Sequence, residues 1–252
     1  MGRKQAEYNM KKIIIKVGLR IIALTTMVTM NACSKINNET ANDVCTALSE
    51  KYGESFVAVK IGDRLNTDSA KLYVHPADNE ALVFSARIDK ESGKVEDNYI
   101  RAIIANEFKN SIKENLEAYQ IPCEVNVSLL CNDVSSETNT KISVDDFTEK
   151  YSLSGITVYL PVKSSFIAED AVEDIVAVFK KANETFGINV SAMVYRISDE
   201  QFNACVEDMS SYPDITNTWF DSYGVQGTAI ISVKDGVVTP QVSEIIKSIV
   251  GE

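Results

Sequence analysis

From residue 97 to residue 119 an apolar side chain returns every three or four positions, at Ile100, Ile104, Phe108, Ile112 and Leu116, which predicts a long helix with one buried stripe. The same helical spacing runs through 41–52, with Gly53 placed to end it, and through 168–186. In the second of these, acids crowd the start, Lys180 and Lys181 stand near the end and Gly187 follows, as the helix macrodipole favours. Shorter helices are expected at 143–151, 200–209 and 242–250. Strand signals fall at 56–61, 71–75, 81–88, 123–131, 156–162, 190–197 and 228–233, separated by turn pairs such as Asp78-Asn79 and Ser92-Gly93. The long helix needs a sheet to cover its stripe, so the expectation is an α+β fold, its helices packed on a largely antiparallel or mixed sheet. Residues 41–252 form either one domain or two subdomains, 41–135 and 143–252.

The first 32 residues follow another pattern. Lys11, Lys12, Lys16 and Arg20 precede an uncharged apolar run over 21–30, too short for a bilayer span of about 20 residues, so the segment reads as a signal peptide. Met10, followed by two lysines, is an alternative start to Met1. Met30-Asn31-Ala32-Cys33 resembles the lipobox of bacterial lipoproteins. That resemblance implies cleavage after Ala32, a diacylglyceryl group on the Cys33 thiol, and anchoring on the outer face of the cytoplasmic membrane. Two acyl chains, at about 0.8 kcal/mol per buried methylene, hold stably where one holds marginally. Residues 33–40 then read as the lipidated cysteine and a polar tether.

Charge changes once that segment is set apart. The chain has 25 basic and 36 acidic side chains; six basic and one acidic precede Cys33, leaving the rest at net −16. Such a surface repels phosphate backbones and anionic headgroups, so nucleic-acid binding is excluded as a function class.

Two sequence echoes bear on organisation. Glu50-Lys51-Tyr52-Gly53 and Glu149-Lys150-Tyr151-Ser152 each end a predicted helix and lead into a strand; chance in a lysine- and glutamate-rich chain is the favoured reading, and two related α/β halves, the first enlarged by a hairpin, are the alternative. Lys51-Tyr52-Gly53-Glu54-Ser55-Phe56, then Ala77-Asp78-Asn79 before Leu82-Val83-Phe84, then Asp97-Asn98-Tyr99, resemble a module of clostridial-type membrane-associated proteins of unknown function. The resemblance implies no chemistry.

Candidate chemistry is sparse. His75 is the only histidine, which rules out zinc sites built from several histidines, and it reads as a surface or turn residue before Pro76. No phosphate loop, EF-hand loop, G-x-S-x-G elbow or C-x-x-C pair occurs, and no cofactor or metal is implied. The acids Glu169, Asp170, Glu173 and Asp174, like Asp145 and Asp146, crowd helix starts where dipole complementarity explains them. Cys45, Cys123, Cys131 and Cys205 fall at apolar-face or helical positions, which favours buried free thiols over bridges; Cys123 and Cys131 are expected on one buried face of a single strand. Residues 210–227, long for a loop, carry Tyr212, Trp219, Phe220 and Tyr223 and are expected to border a ligand or partner surface; the alternative is that these rings fold inward over the end of a sheet. Two function classes follow. The favoured one is a non-catalytic binding or interaction module of the cell envelope, contacting another envelope protein, a wall component or a small ligand. The other is an extracytoplasmic hydrolase using carboxylates or a Ser/Lys pair.

Overall fold

The structure, a computed structural model, describes residues 38–61 and 68–251. Cleavage at Ala32 and lipidation of Cys33 lie outside these residues. The described residues form six α-helices and nine strands, the strands in two sheets, an α+β fold.

The first sheet is an antiparallel meander of β1 (Phe56–Ile61), β2 (Ser69–Pro76), β3 (Phe84–Asp89) and β4 (Val95–Asp97). Period-two alternation sends Ala70, Leu72 and Val74 to one face, where they meet Phe84, Ala86 and Ile88 beneath α1 (Asn38–Tyr52). The module-like residues noted above converge here. Tyr99 lies 5.0 Å from Tyr52, 5.1 Å from Phe56 and 4.7 Å from Phe84, and its hydroxyl donates to Glu54 at 2.6 Å. Asp97, with a 1 % exposed side chain, accepts from the Tyr52 hydroxyl at 2.7 Å and from Lys51 at 2.9 Å. Their sequence pattern is therefore that of an aromatic knot and its polar ties.

The second sheet has the order β5 (Asn126–Leu130), β6 (Gly155–Lys163), β7 (Asn189–Ile197), β8 (Val225–Lys234), β9 (Val237–Thr239). Only β6 and β7 run parallel, joined by the crossover helix α4 (Glu169–Phe186); the other neighbours are antiparallel. Gly187 closes α4 in the left-handed conformation, φ 64°. One sheet face carries Ile156, Val158, Leu160, Val190, Ala192, Val194, Ala229, Ile231 and Val233, all buried under α4, α6 (Val242–Val250) and the long helix α2 (Tyr99–Ala118). The predicted stripe of α2 is buried throughout. Its first turn also touches the four-stranded sheet, through Tyr99, Ala102 and Ile103, so α2 is the spine shared by both sheets.

Several expectations change. The two echoes are not a structural repeat, because β6 and β7 are parallel neighbours whereas β1 and β5 belong to different sheets. The strand expected over 123–131 is shorter: Cys123 makes an isolated bridge to Val162, Glu124 turns inward and the ladder begins at Asn126. Both Cys123 and Cys131 are half-buried, and all four described cysteines are free thiols. His75 is buried rather than exposed, its Nδ1 2.7 Å from the Pro76 carbonyl.

Candidate functional site

Residues 210–227 divide into two stretches with different attachments. The second is a 3₁₀ helix, Asn217–Tyr223, following α5 (Phe202–Ser210) and the intervening turn. Phe220 is fully buried and stacks on Tyr195 at 4.0 Å between centroids; Trp219, half-buried, meets Phe220 edge-on at 5.0 Å and Tyr223 at 4.7 Å. The Tyr223 hydroxyl donates to Asp208 at 2.7 Å. A ring with no exposed surface meets no ligand, so Phe220 leaves the candidate set.

The first stretch, Tyr212 to Asp214, straps across to the four-stranded sheet. Tyr212 stands edge-on to the buried Tyr73 at 5.5 Å, and the Lys60 ammonium lies over its ring, 3.9 Å from the centroid, donating to its hydroxyl. Asp214 pairs with Lys71 and lies 3.5 Å from the Ser85 hydroxyl. Partners some 150 residues apart in sequence gave no local signal of this strap.

Between strap, α2 and the free edge of β5 lies a cleft of about 340 Å³. The loop before β3, Ala81 to Val83, forms one rim and Tyr212 another. Helical spacing brings Asn98, Arg101, Asn106 and Lys109 to its wall, and β5 contributes Asn126 and Ser128. Its charged groups already have partners. Arg101 Nη2 donates to the carbonyls of Cys131 at 3.0 Å and Asn132 at 3.2 Å, and Lys109 meets Glu124 at 2.7 Å. Burial raises the Glu124 pKa, but the ammonium groups of Lys109 and Lys113 outweigh it and hold the carboxyl below the ordinary range. For Cys131, burial is the larger effect and pushes the thiol up against the opposing pull of Arg101, so it is not an activated nucleophile. Among the amides, Asn98 Oδ1 accepts from the Ser85 backbone N–H at 2.8 Å and Asn126 Nδ2 lies 3.5 Å from the Pro213 carbonyl.

The nearest approach to a Ser/Lys set is Ser85, Asp214 and Lys71, where the carboxylate stands between hydroxyl and ammonium. The Lys71 ammonium meets the Asp214 carboxylate and not the Ser85 hydroxyl, so no amine is placed here to take the serine's proton. Among the described residues no three His, Cys, Asp or Glu side chains converge as metal ligands, and no helix is long and apolar enough to cross a membrane.

Neither a family model nor a curated protein matches the sequence. The fold is found in a solved structure: a DUF5037 family protein from Ruminococcus gnavus is similar with a TM-score of 0.66 over 84 % of this chain and 99 % of that one, at 12 % identity. At that identity the two share architecture, and the similarity carries no activity with it.

Proposed function

We propose that this chain is a lipid-anchored, extracytoplasmic binding module of the cell envelope, tethered through diacylglyceryl on Cys33, that takes its ligand or partner in the cleft beside α2. The supporting observation is that the cleft's charged groups are committed to internal pairs, leaving the Asn106 amide and the Ser128 hydroxyl to face a ligand. That inventory recognises and orients; it offers no poised nucleophile and base. The lipobox-like residues supply the anchor, and the net charge of −16 beyond Ala32 keeps the domain away from anionic headgroups.

Cys33→Ala abolishes lipid labelling and membrane retention; labelling that persists removes the anchoring half of the proposal. For the binding half, the full chain in detergent is screened by thermal shift against sugars, peptides and amino acids, where a ligand at 100 times its Kd stabilises by ~2.7 kcal/mol. Asn106→Trp, which fills the cleft, removes that shift, and a shift left intact in this variant places binding elsewhere.

A further inference from the structure

The register of the five-stranded sheet places Ser128 beside Thr157, Thr157 beside Ser191, Ser191 beside Ser232 and Ser232 beside Thr239. One hydroxyl from every strand thus stands in a single row across the face opposite the core, roughly 19 Å long at ~4.8 Å per strand. The row is half-exposed to exposed along its length, and among the described residues none of the five hydroxyls has a hydrogen-bond partner. A row of donors that are also acceptors is left entirely to the outside.

The surroundings narrow what fits. The outward positions of the five strands carry no carboxylate, in a chain with 36 of them, and the two lysines, Lys163 and Lys234, lie at opposite ends of the sheet. A protein surface ordinarily holds about a quarter or more charged residues. Beside the hydroxyls runs a short apolar strip, Met193 paired with Ile230, the latter 55 % exposed. At its β5 end the row opens into the cleft, which Ser128 itself lines.

From this pattern we infer that the row, entered from the cleft, is a binding track for a neutral, linear glycan. The inference rests on the binding-module reading and names its ligand class. A pyranose chain presents hydroxyls along its edge and C–H groups on its ring faces, which match the hydroxyl row and the Met193–Ile230 strip side by side. An anionic polymer is opposed by the net −16, which the two lysines do not offset. Protein interface cores are more apolar than this row, and a second copy would bury hydroxyls against hydroxyls between two acidic bodies.

The test uses the full chain in detergent micelles, titrated calorimetrically with chitohexaose, cellohexaose, the matching disaccharides and polygalacturonate. The expected result is that a neutral hexasaccharide binds at least tenfold more tightly than its disaccharide and than polygalacturonate, and that Ser232→Glu weakens it at least tenfold. Ser128→Glu, at an exposed end of the row, gives the same readout should Ser232→Glu fail to fold. No binding of either hexasaccharide, or equal affinity for the disaccharide, overturns the track. A thermal-shift ligand that Asn106→Trp abolishes and Ser232→Glu leaves untouched also overturns it, while the binding-module reading stands.

Discussion

The outer faces of the two sheets have opposite fates. On the four-stranded sheet, Lys71, Tyr73 and His75 point away from the α1 core, and the strap from Tyr212 to Asp214 covers part of that face, half-burying Lys71 and burying Tyr73. On the five-stranded sheet, α5 and the 3₁₀ helix cover the end from Tyr159 and Met193 to Ile197; Ile230 and Thr239 are exposed and Ser232 half-exposed. Charge and aromatic surface are used where the sheets hold each other, and a face free of carboxylates is left where none of the described residues covers it. A fold can thus spend one sheet face on its own cohesion and leave the other open.

Substitutions test this contrast. Phe220→Ala has the largest effect, destabilising by about 4 kcal/mol in denaturant titration, because a fully buried ring stacked on Tyr195 leaves a cavity. Glu137→Gln comes next and is read against pH. Hydrogen bonds from Lys150, the Asn139 backbone and Tyr151 hold the buried Glu137 carboxyl at about 2, below its ordinary 4.5. A depressed carboxyl stabilises fully above its unfolded pKa and loses that contribution as pH falls through the folded one. Wild type therefore loses stability between about pH 4.5 and 2, and the variant flattens that limb. Trp219→Ala costs about 2 kcal/mol, roughly half the value for a fully buried ring, since Trp219 is half-exposed. A larger loss would move it wholly into the core. Asp214→Ala, which releases Lys71 in a pair about one-third exposed, costs about 1 kcal/mol. Smallest is Ile230→Lys on the open face, within about 0.5 kcal/mol. A drop of several kcal/mol there would show the face to be covered and remove the contrast.

Much of the cohesive architecture was legible in sequence, because it is written in local periodicity. The α2 stripe, the Ser143 cap of α3 (Val144–Tyr151), whose side chain accepts from the Asp146 N–H, and Gly187 after α4 all carry their signals within a few residues. The strands β4 and β9 escaped notice because three residues show no alternation. Partition into two sheets was not visible either, since the same alternation serves any neighbour. Of the four aromatics singled out in 210–227, sequence could not separate Phe220 from Tyr212; that depends on Tyr195 and on Lys60 and Tyr73, all distant along the chain. The hydroxyl row is a property of strand register, so Ser128 and Thr239 have no relation until four pairings set them in line.

Gly227 lacks the side chain that would otherwise come within 2.5 Å of the Ile249 carbonyl oxygen, and Arg196 Nη1 donates to the Val250 carbonyl at 2.6 Å. The last turn of α6 is thereby seated directly on β7 and β8. For a chain synthesised from its N-terminus, this sets an order of events. The four-stranded meander is contiguous, 56–97, and closes on local pairings soon after it emerges, whereas the five-stranded core keeps an apolar flank uncovered until residue 250 has arrived. During that interval the unfinished half is the part of the nascent chain that most needs shelter from aggregation.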